Sequence, residues 1–450
     1  MRKITIEDVL NGTKGSLISG DLEDLVAGVS IDSRHINEKN MYVALRGERV
    51  DGHDFISGAI KNGATTILIE KEVEEISKNA NLNFIRVEDT YRALMDLAEF
   101  YIGKFDIPVV GVTGSVGKTS TKDMVYYALS KGLNTHRTIG NFNNHVGLPL
   151  TVFKTREDTK LAVLEMGMDD LGQIHDLSKI SRPQVGVITN IGLSHIERLG
   201  SQENILKAKL EILDYMKKDG LLLVNGDDTF LKDIEISNEF RMIKFGFDSG
   251  NDLKIVGYEA TKDGISVKIE LDNKIEEFVV PALGRHNAYN VLAAVGVARE
   301  FGIELDTIRE GFKLYEATPM RLEVKNINHM VIINDAYNAS VDSMKAALDV
   351  LSDFKGRKIA ILGDMLEMGE FRESAHREVG IYAKEKADII FTIGNDSRYI
   401  NDECKKVKEA YHFEEKIDMI DTLKSILKKD DVILLKGSRG MRLEEVEKYL

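Results

Sequence analysis

Several residue types are scarce in this chain, and each shortage excludes something. Among 450 residues there is one cysteine, Cys404, with five prolines and no tryptophan. A single cysteine rules out internal disulfides and cysteine metal clusters, and it fits a reducing compartment. Lying among lysines and glutamates, Cys404 is expected to be a surface or half-buried thiol, not a nucleophile. So few prolines, with no low-complexity tract, leave no obvious flexible linker. Basic charge is also short: 60 Lys and Arg against 74 Asp and Glu give a net charge of −14. That balance argues against a nucleic-acid partner, which calls for a basic face. No apolar run approaches the ~20 residues of a membrane span, and the opening MRKITIEDVL lacks a signal-peptide core. A cytoplasmic protein is expected.

The length exceeds what one hydrophobic core supports, so two or three domains are expected. A content of 43% hydrophobic and 30% charged residues is that of a globular protein. The most informative stretch is PVVGVTGSVGKTSTKD over 108–123. Val109, Val110, Gly111 and Val112 read as a buried parallel strand. Gly114-Ser115-Val116-Gly117 reads as a turn, and Lys118, Thr119 and Ser120 open a helix. Strand, glycine loop and helix N-terminus form a phosphate cradle, with inward amides, a favourable helix dipole, the Lys118 charge and a Thr119 hydroxyl for Mg²⁺. The usual phosphate-loop spacing asks for glycine at 112, where this chain has valine; glycines stand at 111 and 114 instead. An ordinary glycine-rich turn is the plain alternative. A nucleoside triphosphate is the favoured ligand.

Residues 1–86 mix short strands and helices around Ser30-Ile31-Asp32-Ser33-Arg34, which alone reads more readily as a capped turn and solvated loop than as a phosphate or base-edge contact. A helix over DTYRALMDLAEFYIGKF, with Leu94, Leu97, Ala98 and Tyr101 on one face, leads into the cradle strand. Buried strands follow at LAVLE, QVGVITN and GLLLVN, separated by helices. Such a parallel sheet places chemistry at its strand C-terminal ends, where Glu165, His195 and the glycine loop all lie. Thr119 and Glu165 are oxygen donors suited to Mg²⁺; His195 is a less usual one. An alternating passage turns at Asp263-Gly264 and Asp272-Asn273. A helix then begins at GRHNAYN with Asn287 and Asn290 on one face, able to read a base edge or to bond backbone. From about residue 316 the alternation restarts as a second parallel sheet. The expected fold is α/β with three domains: a small N-terminal α/β domain (1–86), a central P-loop-type parallel sheet (87–315) and a C-terminal Rossmann-like sheet (316–450).

Taken together, these motifs resemble the Mur ligases and folylpolyglutamate synthetases. They are GVTGSVGKTS at 111–120, EMG at 165–167, TNIGLSHIE at 189–197, KAKLE at 207–211, GRHNAYN at 284–290 and MRLE at 320–323. Further pointers are DSR at 32–34, DGHDF at 51–55, NDAYNA at 334–339, LGDMLEMG at 362–369 and KGSRGMR at 436–442. The resemblance implies that ATP phosphorylates the carboxylate ending a UDP-linked muramoyl tripeptide. The amino group of D-alanyl-D-alanine then attacks the acyl phosphate, giving an amide, ADP and phosphate. It also implies that Thr113, Gly114, Ser115, Val116, Gly117, Lys118 and Thr119 bind the nucleotide, with Lys118 on its phosphates. Thr119 and Glu165 would hold one Mg²⁺, and His195 a second with a carbamylated Lys209. Asn287 and Asn290 would lie near adenine, Arg321 and Asp335 at phosphates and ribose, and Ser33 and Arg34 at the UDP end. The chain departs from the family where Ser340-Val341 follow Ala339 in place of Asn-Pro. Other amide ligases of the family, acting on folate or another acceptor, share most of these motifs. A nucleotide-dependent switch would share only the loop. A monomer is expected.

Overall fold

A computed structural model describes residues 1–79, 81–262 and 264–450. Among these residues the chain forms three larger sheets and a two-stranded ribbon joining Ile4–Thr5 to Leu25–Val26. The first sheet runs in the order Ser16–Ser19, Asn83–Arg86, Ala64–Ile69, Asn40–Val43, Gly28–Ser30, parallel except at its first pair. The helix Thr90–Phe105 follows, capped by the Asp89 carboxylate accepting from the Arg92 amide, with Leu94, Leu97, Ala98 and Tyr101 buried.

The second sheet has nine strands. At its centre Val109–Thr113 lies between Leu161–Glu165 and Val185–Ile188, all parallel and fully buried. Strands apolar on both faces are what helices on both sides of a parallel sheet require. Thr135–Arg137 adds an edge, and Leu221–Asn225 and Arg241–Gly246 extend the other side. The alternating passage is not a separate unit. Leu253–Thr261 pairs in parallel with Arg241–Gly246, and Gly264–Leu271 and Lys274–Val280 continue as an antiparallel meander. Asp272 (φ +51°) and Asn273 (φ +62°) supply the left-handed turn that a two-residue hairpin needs. Asp263, in the other expected turn, lies outside the described residues.

The third sheet runs Glu323–Ile327, Met330–Asn334, Val432–Lys436, Lys358–Gly363, Ile389–Ile393, Glu409–Phe413. It is parallel except for its first strand, which pairs antiparallel with Met330–Asn334 through left-handed Asn328 and His329. The expectation of a purely parallel sheet is corrected there. Cys404 is also corrected: it is wholly buried, burial raises its thiol to about 12, and its Sγ contacts the Gly380 carbonyl at 3.3 Å. No helix among the described residues is long and apolar enough to cross a membrane.

The short helix Leu305–Phe312 ties the meander to the central sheet through Phe312, fully buried and edge-on to Phe278 at 6.0 Å. Phe312→Ala is expected to lower unfolding free energy by about 3–5 kcal/mol in urea titration. A loss under about 1 kcal/mol would mean that this contact does not hold the meander.

Candidate active site

The glycine loop sits where the central strand ends. Gly114 adopts φ +146°, and a Cβ there would lie 1.8 Å from the Thr189 hydroxyl oxygen, so no side chain fits. Gly117, at φ +85°, turns the chain into the helix Lys118–Ser130. The neighbouring strand end clamps the loop. The Ser115 amide donates to the Asn190 carbonyl (3.0 Å), and the Val116 amide to the Asn190 side-chain oxygen (2.9 Å). The Asn190 amide and the Thr189 hydroxyl both donate to the Val116 carbonyl, at 2.9 and 2.6 Å. This corrects the expectation that all the loop amides face inward. Two of them are occupied by Asn190, so anion binding falls to the unsatisfied N–H groups of the helix's first turn.

Lys118 folds its ammonium onto the Gly114 and Ser115 carbonyls at 2.8 and 3.3 Å, and burial lowers its pKa. Glu165 ends the adjacent strand, 1% exposed; one carboxylate oxygen accepts from Asn143 at 2.7 Å. Its other oxygen, Oε2, is buried without a partner, as are the Thr113 and Thr119 hydroxyls. Leaving such a group unsatisfied costs about 1–3 kcal/mol each. Two of these three are the hard oxygen donors expected at Mg²⁺, so the residues present fit that ion. His195 lies beyond the third strand at φ +64°, with Nδ1 2.8 Å from the Glu367 carboxylate and 3.5 Å from Asp169.

These residues line a cleft of about 1430 Å³ between the second and third sheets. Ser115 to Ser120, Glu165, His195, Asn287, Asn290, Arg321 and Asp335 all face it. Asn290 donates to the Asn287 side chain (2.7 Å) and accepts from Thr121 (2.8 Å), locking the two helices together; Asn287 donates to the Leu283 carbonyl. The amides of this pair bond to each other, to Thr121 and to backbone, and both residues also line the cleft. Arg321 stacks on Tyr337 with its guanidinium 4.2 Å from the ring centre, and its Nε is buried without a partner. The Asp335 carboxylate accepts from the Leu322 amide and pairs with the buried Lys436.

Five expected residues lie outside the cleft lining: Thr113 and Gly114 at the buried strand end beneath the loop, and Lys209, Ser33 and Arg34. Lys209 is 1% exposed and near Lys118, where burial and the Lys118 charge push its ammonium well below the ordinary lysine value. Ser33 and Arg34 lie in the turn that follows the first sheet's strand Gly28–Ser30, outside the cleft lining, with the Arg34 guanidinium forked onto Asp32 at 2.8 and 2.9 Å. Residues not singled out from the sequence include Asn143, which orients Glu165, and Tyr289. The Tyr289 hydroxyl donates to Asp227, which also accepts from the Phe247 and Asp248 amides. The paired asparagines of NFNNH were the available signal for the first, and the strand-end aspartates for the second.

Family models match this chain over three segments: "Mur ligase family, catalytic domain" at 25–102, "Mur ligase middle domain" at 112–298 and "Mur ligase, glutamate ligase domain" at 320–439. The chain is 39% identical to the UDP-N-acetylmuramoyl-tripeptide–D-alanyl-D-alanine ligase of Bacillus subtilis, covering 100% of this chain and 99% of that one. It is 31% identical to the Escherichia coli ligase of the same name, again over 100% and 99%. Among solved structures it superposes on MurF from Acinetobacter baumannii with a TM-score of 0.91 at 27% identity, covering 100% and 98% of the two chains. MurF ligase from Thermotoga maritima in complex with ADP gives 0.83 at 29% identity, over 94% and 96%.

Burial draws the His286 imidazole, in the cleft wall, from 6.5 down to about 4. Between those values the unfolded chain takes up a proton that the folded chain refuses. Stability is therefore full above about pH 6.5 and falls as the pH drops towards 4, by about 3 kcal/mol. His286→Gln is expected to flatten that part of the urea-midpoint profile. An unchanged slope would locate the acid sensitivity elsewhere.

Proposed function

From the premise that the chain belongs to the Mur ligase family, we propose that it uses ATP to join D-alanyl-D-alanine to a UDP-linked N-acetylmuramoyl tripeptide. The observation that carries this reading is the meeting, in one cleft, of a phosphate loop with partnerless oxygens and cations from a second sheet. Relatives bearing that activity in their names are similar end to end, which supports the same reaction here. The three sheets are taken as three domains, 1–86, 87–315 and 316–450.

A carboxylate is a poor electrophile until one oxygen becomes a good leaving group, which explains the order of events. The tripeptide's terminal carboxylate oxygen attacks the γ-phosphorus of ATP, forming the acyl phosphate and releasing ADP. The dipeptide's amine then attacks the acyl carbon, the tetrahedral intermediate expels phosphate, and an amide remains. Lys118 leaves its loop carbonyls to meet the nucleotide phosphates, joined by Arg321 from the third sheet. Asn287 and Asn290 flank the adenine end, and Asp335, held by Lys436, faces the ribose. Thr119, Glu165 and His195 are assigned to Mg²⁺, which when bound screens the phosphate oxygens. Lys209 is assigned a carbamate. Its depressed pKa favours the neutral amine that adds carbon dioxide, and the product is an anionic oxygen donor. Ser33 and Arg34 are assigned to the UDP end, whose distance from the carboxylate suits a separate sheet.

ADP release is expected only when both the muramoyl tripeptide and D-alanyl-D-alanine are supplied with ATP. Steady turnover with neither would instead identify a nucleotide switch. Lys118→Ala should abolish ligation, and full retained turnover would refute its phosphate role. Lys209→Ala should lose activity that short carboxylic acids partly restore; a lack of rescue would count against carbamylation.

A further inference from the structure

The contact that joins His195 to the third domain has no part in the reaction as described so far. His195 belongs to the second sheet's strand-end loop, and Glu367 to the loop that follows the strand Lys358–Gly363. Their side chains meet at 2.8 Å between Nδ1 and Oε2. Alongside, the Glu197 amide donates to the Glu367 carbonyl at 3.3 Å. Gly369, at φ +50°, packs so closely that a Cβ there would lie 3.2 Å from the Cα, Cβ and Cγ of Glu197. The two loops therefore dock through a side-chain pair, a backbone bond and a close glycine contact.

Both partners are held in left-handed backbone, His195 at φ +64° and Glu367 at φ +65°. Non-glycine residues resist that region, and such strain persists where the surroundings demand it. Here it aims the two side chains at each other across the domain boundary. The imidazole is 18% exposed and the carboxylate 59% exposed, so Glu367 covers the ring from the solvent side. Asp169, at 3.5 Å and 54% exposed, is the second and weaker partner of Nδ1.

We propose that Glu367 is a positioning residue: by accepting the Nδ1 proton of His195, it leaves Nε2 unprotonated for the cleft and ties that state to docking of the third domain. A carboxylate on one ring nitrogen selects the tautomer and orientation in which the other can accept or ligate. When the third domain moves away, Glu367 leaves with it and His195 keeps only Asp169. The histidine assigned to the metal is thus set only when Arg321 and Asp335, carried by the same domain, have also arrived. This inference rests on the ligase reading above.

Two measurements on the full chain test it. The first reads the His195 ring by ¹⁵N NMR without nucleotide or metal, at alkaline pH where imidazoles are neutral. The wild type should carry its proton on Nδ1, and Glu367→Ala should shift the ring towards the Nε2–H form. The second reads the magnesium concentration for half-maximal ligation. It should rise about tenfold to a hundredfold in Glu367→Ala, and Glu367→Gln, which keeps a hydrogen-bond acceptor, should recover most of the loss. An unchanged tautomer in Glu367→Ala overturns the proposal whatever happens to turnover, as does an equal magnesium requirement in wild type and both variants. If the tautomer shifts as expected but the wild type does not ligate, the positioning stands and the assigned reaction falls.

Discussion

The clamp of Thr189 and Asn190 on the glycine loop is the contact from which the rest of the cleft takes its shape. Four hydrogen bonds of 2.6–3.0 Å fix Ser115 and Val116 against the next strand end. They also determine why Gly114 must be glycine, since Thr189 occupies the space its Cβ would need. With the loop held, the helix Lys118–Ser130 starts at a set place, and Thr119 and Thr121 follow from its geometry. Thr121 bonds Asn290, which bonds Asn287, so the clamp's influence reaches the far wall of the cleft. The cost is that two loop amides no longer face an anion, and the helix's first turn takes over that role.

The third domain adds what a single sheet cannot. Arg321 lies between two left-handed residues, Met320 at φ +60° and Leu322 at φ +53°. Each costs on the order of 1–2 kcal/mol in that conformation. The structure offsets this with the Leu322 amide on Asp335 at 3.1 Å and the guanidinium over Tyr337. Strain of this kind holds a long cationic side chain at one angle, where a relaxed segment would let it sweep solvent. The same segment is anchored on the opposite side, since the Thr318 hydroxyl donates to the buried Asp123 at 2.6 Å, one turn into the loop helix. Both ends of the connection from the second to the third domain are thus tied to elements that form the site.

Much of this was legible in the sequence, and the exceptions share a cause. Strands buried on both faces, such as Val109–Thr113 and Leu161–Glu165, show as apolar runs, and glycines and polar residues beyond them mark the chemistry. Periodicity reports burial, but it does not report partners. It therefore does not reveal that Leu253–Thr261 joins the central sheet in parallel, or that Glu323–Ile327 runs against its neighbour. Cys404 is misleading for a related reason: charged sequence neighbours say little about a helix residue whose own face turns inward. At the site, residues that line the cleft around the glycine loop carry motif signals, whereas the partners of Asn143 and Glu367 depend on three-dimensional distance alone. Lys209 is the extreme case. Only the family resemblance singles it out from an ordinary helix lysine, and only the fold shows that it is buried.

The charges around the cleft are complementary to the polyanion of the proposed reaction. Lys118, Arg321 and Lys436 bring positive charge to one region, and Asp335 neutralises Lys436 through its ion pair. Lys118 turns back onto its own loop carbonyls, and the Arg321 Nε finds no acceptor. On the other side, the second Glu165 oxygen and the Thr119 hydroxyl are buried without donors. Excess donors facing phosphates and excess acceptors facing a cation are complementary deficits. On the proposed reading, a nucleoside triphosphate with its divalent ion would satisfy both at once, while either component alone would leave one set unpaired. Desolvation makes each unmet group costly, which favours the proposed binding of the pair as a unit. The buried Lys209 fits the same pattern, because a second cation beside Lys118 is tolerated in a dry site only when it is neutral or converted to an anion.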